Sequence, residues 1–337
     1  MTDARRLLIR LPNWLGDALM ARPLLHALRA SLPAAEIRAV GRPLGRVLER
    51  ERLWDHWTPL QHLDDARKRV LDEDARKRAP CNNRFDAALI LPPSFSSAWR
   101  LPRRRIPRRI GFAADGRSWL LTDAVHRPAP GEKHLSEEYL DLGARLGVRS
   151  APLPVLRPSE DELAEARARL RRLEVGDRPF VVLGPGAAYG PAKRWPFERF
   201  VALARGFTAR GFAALIAGAA EDCAITVPMA TAIGEGAHSI AGQTSIAEQL
   251  ALCTIARVTV SNDSGLAHLA AASGAPTVAI FGSTSSAWTA PRGPRVRIVQ
   301  HPPVCSPCFQ RTCAIGYRCL MNVDVGEVAH VCEVLTA

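Results

Sequence analysis

The stretch "VTVSNDSGLAHLAAASGAPTVAIFGS", residues 258–283, reads as strand, polar elbow, helix, turn and strand. Val258–Val260 and the run from Thr277 to Phe281 are short, apolar and rich in β-branched residues, as strands buried on both faces are. Between them, Ser261-Asn262-Asp263-Ser264-Gly265 opens a helix built almost wholly of Ala and Leu. Asn, Asp, Ser and Gly are ordinary turn and N-cap residues, and capping alone would explain them. The other reading is an anion held on the free N–H groups and positive dipole end of the helix. Small side chains would let such a helix pack closely on a sheet.

The same alternation recurs along the chain. "RLLIRL" (6–11) is a short apolar strand, followed by "PNWLGD" and one helix over "ALMARPLLHALRASLP". "EIRAVG" (36–41) and "DAALILPPS" (86–94) are the next strands, and the charged segment 62–79 reads as an exposed helix. At 149–161, "RSAPLPVLRPSED" carries three prolines and marks a linker. Ser159 and Glu162 form a capping-box pattern. The alternation then starts afresh with strands at 179–186, 212–218, 258–263 and 277–282. An amphipathic helix after Pro196 stops at Gly211. The expectation is an α/β protein of two domains, 1–158 and 159–337. Each is a parallel sheet covered on both faces, with strand ends lining a cleft.

Composition fits a globular chain: 337 residues, 47% hydrophobic and 23% charged. No apolar run approaches a membrane span, and the N-terminal segment has no signal-peptide core, so a cytoplasmic location is expected. The net charge is +12, and "RLPRRRIPRRIGF" (100–112) alone carries six arginines. A solvated Arg-rich surface explains this, and so does attraction to an anionic partner: nucleic acid, a phosphorylated glycolipid or an anionic membrane face. No helix-turn-helix, zinc-finger or RNP pattern supports nucleic acid, and Pro102 and Pro107 spoil the arginine run as a recognition helix.

Four loops after strands are candidates for chemistry. In "PNWLGDALM", Gly16 frees the backbone and Asp17 stands at a helix start, where it also complements the dipole. "GPGAAYGPAKRWP" (184–196) is Gly-rich and holds Lys193, a cation suited to phosphate. It is neither a Walker A loop nor a nicotinamide fingerprint. In "AGAAED" (217–222), Glu221 follows a strand where an acid can accept from ribose hydroxyls. The fourth loop is the elbow itself, with Ser264, Gly265 and, one turn on, His268. No DxD-type carboxylate pair for a catalytic Mg²⁺ appears in these loops.

Together, "PNWLGDALM", "LPPSFSSA", "PGAAYGPAKRWP" and "NDSGLAHLAAASGAPTVAIFG" resemble the lipopolysaccharide heptosyltransferases of glycosyltransferase family 9. The resemblance spans both halves, with the motifs in the family's order. It implies a GT-B fold, two Rossmann-like domains with a cleft between them. It further implies an inverting transfer of L-glycero-D-manno-heptose from ADP-heptose to the first heptose of the Kdo–lipid A core. No cofactor is implied beyond this donor. By motif, Lys193, Asp263, Ser264, Gly265 and His268 would hold the diphosphate and sugar, Glu221 the ribose, and Asp17 would be the base. The anionic glycolipid acceptor would give the basic N-terminal half a purpose, with peripheral contact at the inner membrane and no nucleic acid partner. A first-heptose transferase or another heptose transferase of the family is the nearest alternative. A nucleic-acid or anionic-membrane binding protein is the alternative from another class.

The chain has eight cysteines. Cys81, Cys223, Cys253 and Cys332 are scattered and read as reduced core residues. Cys305, Cys308, Cys313 and Cys319 form a C-x2-C-x4-C-x5-C array. Four thiolates could hold structural zinc, but the second pair departs from knuckle spacing, and reduced thiols in an irregular loop are the other reading. Neither reading gives them a catalytic role.

Overall fold

The computed structural model of the chain describes residues 5–62, 85–101 and 106–337. Cys81, residues 63–79 of the charged segment and arginines 103–105 lie outside them. Two compact units form, Met1–Pro154 and Val155–Ala337, divided within the proline-rich stretch.

The first unit is built on six parallel strands: β1 (Arg6–Arg10), β2 (Glu36–Gly41), β3 (His56–Pro59), β4 (Ala87–Ile90), β5 (Arg108–Phe112) and β6 (Asp123–Val125). Their order is β3-β2-β1-β4-β5-β6. Leu7, Leu8 and Ile9 of β1 are buried, as are all four residues of β4, because helices cover both faces. From β1 the chain winds outward through β2 and β3, then returns to place β4 on the other side of β1. The loops leaving β1 and β4 therefore diverge, and a crevice opens at their C-terminal ends.

The single helix expected after β1 is two helices, Leu15–Met20 and Arg22–Ser31. Pro23 sits in the first turn of the second and has no N–H to offer the preceding turn, so the ladder breaks at Ala21. Arg22, just past the break, is buried and donates to both carboxylate oxygens of Glu51 at 2.8 and 2.5 Å. His26 reaches the same carboxylate at 3.0 Å, and Arg22 also donates to the Pro154 carbonyl. Burial raises the Glu51 carboxyl, but Arg22 and His26 outweigh it and hold the group below its ordinary value.

The second unit repeats the plan with β7 (Phe180–Gly184), β8 (Ala213–Ile216), β9 (Ala237–Ser239), β10 (Val258–Asn262), β11 (Thr277–Ile280) and β12 (Val296–Val299). The order is β12-β11-β10-β7-β8-β9, so the same reversal falls between β7 and β10. In that register Ser261 lies opposite Gly184, and a Cβ at 184 would sit 2.5 Å from the Ser261 hydroxyl. Only glycine lets the two strands close there. The Ser159–Glu162 capping box is formed in both directions, and Gly211 takes φ +84° after the helix Phe197–Thr208. The helix Gly265–Ala272 buries Ala267, Leu269, Ala270 and Ala271. Ala267 packs with Ala279 and Phe281, and Ala270 joins the core beneath β7 and β8, as its small side chains lead one to expect.

Candidate active site

In each unit the strand-order reversal brings two loops together, and each pair carries polar chemistry. In the first unit a cavity of about 500 Å³ opens at the ends of β1 and β4. The loop after β1 supplies Asn13, Trp14 and Asp17, and the loop after β4 supplies Pro92–Ser94. Asp115, Arg127 and Tyr139 complete the polar lining. Asp17 is half-buried in the first turn of the helix Leu15–Met20. Tyr139 is buried; desolvation, with the Asp17 charge next, pushes its phenol well above the ordinary value. At neutral pH it is therefore a hydrogen-bond donor beside a carboxylate. Arg127 lies over the Phe112 ring and donates to the buried Glu138 carboxylate at 3.2 Å.

The cavity wall is held from beneath by Arg117, whose guanidinium is 0% exposed. It donates to the carbonyls of Phe112, Pro92 and Ser94 and to the Ser97 hydroxyl at 2.6–3.1 Å. Burial, aided by Arg127, lowers it to about 10, so it remains charged at neutral pH. Asp115 adopts φ +50° and accepts the Phe95 N–H at 2.6 Å, fixing the rim on the other side.

In the second unit the loops after β7 and β10 meet. Asn262 Oδ1 accepts the Trp195 N–H at 2.9 Å, and its Nδ2 donates to the Pro185 carbonyl at 2.7 Å. One buried amide thus clamps both ends of the Gly-rich loop to the elbow. The clamp sets Lys193 against Asp263, with Nζ 2.5 Å from Oδ2. Thr284 donates to the same oxygen at 2.6 Å. No side chain caps the helix Gly265–Ala272. The Ser264 hydroxyl instead pairs with that of Ser261 at 2.9 Å, so it does not cap the first-turn N–H groups. His268 is buried one turn on.

Lys193, Asp263, Ser264, Gly265 and His268 are therefore brought to one place. Glu221 stands exposed in a short 3₁₀ turn after β8, the strand beside β7, at the same edge of the sheet. Asp222, not Glu221, makes the turn's own bond, accepting the Ala219 N–H at 3.0 Å. Asp17 belongs to the first unit's cavity. Two arginines of the 100–112 run, Arg108 and Arg109, have partners within the first unit. Arg108 donates to Asp123 and to the Arg145 carbonyl, and Arg109 to the carbonyls of Leu120 and Ile106, so both close the β5–β6 edge. Tyr139, Arg127, Arg117 and Thr284 escaped the sequence reading. They stand in isolated, ordinary sequence contexts that carry no motif. Asn262 stood inside the quoted elbow, where two buried strands flanking an amide were the available signal.

The seven described cysteines are free. Cys253 and Cys332 are buried and pushed up to about 12 by desolvation, as inert core thiols are. Burial, with Cys308 and Cys313 nearby, also raises Cys319. Among the described residues no set of three or more His, Cys, Asp or Glu is disposed to hold a metal ion.

Residues 75–317 match glycosyltransferase family 9 (heptosyltransferase). The chain belongs to this family. Family 9 relatives include lipopolysaccharide heptosyltransferase 2 of Salmonella typhimurium, 30% identical over 313 residues and 88% of each chain. The solved structure of E. coli ADP-heptose LPS heptosyltransferase II superposes with a TM-score of 0.80 at 27% identity, covering 98% of both chains. A family 9 glycosyltransferase from Veillonella parvula shares the fold, with a TM-score of 0.84 at 19% identity over 100% of this chain and 98% of its own. The protein is thus a glycosyltransferase of the GT-B-like α/β type, and its two doubly wound units are the family's.

Proposed function

We propose that this glycosyltransferase moves L-glycero-D-manno-heptose from ADP-heptose to the first heptose of the Kdo–lipid A core, with inversion, in lipopolysaccharide biosynthesis. The observation that carries the donor side is the Lys193–Asp263 pair beside an uncapped helix N-terminus. That constellation suits a diphosphate. The choice of acceptor follows the names of the relatives at 30% identity over 88% of the chain.

The chemistry is a single displacement. Asp17 accepts the proton of the acceptor hydroxyl as its oxygen bonds to the anomeric carbon. The bond from that carbon to the diphosphate breaks, and its electron pair goes to the phosphate oxygen. Lys193 and the first-turn N–H groups stabilise the charge developing there. Glu221 accepts from the ribose hydroxyls, and His268 and Ser264 hold the sugar-side phosphate. In the acceptor cavity, Arg127 and the protonated Tyr139 orient a polar, anionic saccharide.

Among the described residues no helix is long and apolar enough to cross a membrane. Peripheral contact with a lipid surface is part of the proposal. Phe95, Trp99 and Trp119 cluster with ring centroids 5.7–6.2 Å apart, and Trp119 is 65% exposed. An exposed indole ring on an aromatic cluster suits a headgroup layer.

The deciding experiment offers ADP-heptose with Kdo₂-lipid A that carries or lacks its first heptose. The acceptor already bearing one heptose should gain the mass of another. Gain only on the bare acceptor would make the protein a first-heptose transferase, and no gain on either would overturn the proposal.

A further inference from the structure

The pair at the heart of the donor site is electrically self-cancelling. Lys193 is matched by the Asp263 carboxylate, 4% exposed, and Thr284 binds the same oxygen. A sugar nucleotide brings roughly two negative charges, and a further one develops on the phosphate oxygen as the glycosidic bond breaks. Further positive charge is needed near Lys193.

The segment around Phe309–Arg311 lies along the Lys193 loop. The Tyr189 hydroxyl donates to the Phe309 carbonyl, and the Ala192 N–H donates to the Arg311 carbonyl at 3.0 Å. Gly190 holds φ +150°, and a Cβ there would lie 2.6 Å from the Arg311 carbonyl oxygen, so the two backbones touch. The Phe309 N–H donates to Ser283 at 2.8 Å, and its ring packs edge-on against Trp288. Arg311 is thereby fixed at its backbone one residue from Lys193. Its guanidinium stands 5.5 Å from the Tyr189 ring centroid, and Lys193 Nζ stands 5.0 Å from the same ring. Arg311 is exposed, and among the described residues no carboxylate lies within ion-pair distance of it. One aromatic ring therefore gathers two cations, one paired with a carboxylate and one not.

We infer that Arg311 is the second cation of the donor site, a guanidinium that binds the diphosphate through its paired N–H groups and carries the charge Lys193 shares with Asp263. The inference rests on the donor lying at Lys193. It adds a contact from the cysteine-rich segment, which otherwise has no part in the chemistry. A planar fork on phosphate oxygens is bidentate, which an ammonium is not.

The test uses the full chain and ADP as probe, titrated by calorimetry at several salt concentrations for wild type, Lys193→Ala, Arg311→Gln and Arg311→Lys. Melting temperatures and single-turnover rates are measured in parallel. Arg311→Gln should weaken ADP about tenfold and flatten its salt dependence, with an unchanged melting temperature. Arg311→Lys should recover the salt dependence but only part of the affinity. Wild-type affinity, salt dependence and rate in Arg311→Gln, with Lys193→Ala impaired, would overturn the inference and leave the donor reading standing. Equal losses in Arg311→Gln and Arg311→Lys with lowered melting temperatures would make Arg311 a packing residue and overturn it too. No ADP binding by the wild type would remove the donor reading and this inference together.

Discussion

Lys193 Nζ lies 2.5 Å from Asp263 Oδ2, and this contact joins the loops after β7 and β10, the two strands where the order of the second sheet reverses. A cation held this way is ready at the place where phosphate charge grows, with little reorganisation left to the reaction. Lys193→Ala should lower kcat by about a hundredfold or more and ADP affinity by less. Single-turnover rates at saturating donor check this, and an unchanged rate would take Lys193 out of the mechanism.

Asp17 lines the first unit's cavity beside the protonated Tyr139. Asn in its place keeps the size but cannot take the proton. Asp17→Asn should keep the fold and ADP-heptose affinity while losing roughly two to four orders of magnitude in kcat. A role confined to the helix dipole predicts the reverse: a stability change of about 1 kcal/mol or less and an intact rate.

Asn262 is buried and clamps the Trp195 N–H and the Pro185 carbonyl. Asn262→Ala strands both backbone groups away from water. It should cost about 2–4 kcal/mol in denaturant titrations and weaken ADP as the Lys193 loop loosens. Full stability in this variant would show that the loop is held by other contacts.

Glu51 sits below its ordinary carboxylate value because Arg22 and His26 outweigh its burial. A lowered folded-state value adds stability above the unfolded value, and that stability is lost as pH falls through the folded one. The wild type should therefore melt progressively lower below about pH 4.5, the ordinary value for this group. Glu51→Gln should be less stable at neutral pH and flatter in that limb. Parallel profiles in the two proteins would assign the acid sensitivity elsewhere.

Arg108 and Arg109 spend their donors on Asp123 and on the carbonyls of Arg145, Leu120 and Ile106. Replacing both with Gln should lower the melting temperature and leave the salt dependence of the acceptor KM nearly unchanged. A large flattening of that salt dependence would return them to the acceptor.

The amino-acid sequence by itself determined the class of fold. Short apolar runs alternating with amphipathic helices admit little besides covered parallel sheets, and the proline-rich stretch at 149–161 divides them. It also marked the elbow at 261–265 and the Gly-rich loop before Trp195, because turn chemistry and a buried-strand pattern are local. Tertiary structure decided what local pattern does not encode. The helix break at Ala21 depends on one missing N–H at Pro23, and a strong run of helix formers around it hid the effect. Which arginines are occupied was invisible too, since Arg108 and Arg117 differ only in what surrounds them once folded. Strand order did the rest. It set the loop after β1 beside the loop after β4, and the loop after β7 beside the loop after β10. That order put Tyr139 and Arg127 around Asp17, and Thr284 and Lys193 on one oxygen of Asp263. Residues tens to more than a hundred positions apart share a site only when a sheet reverses its winding between them, and periodicity along the chain carries no record of that reversal.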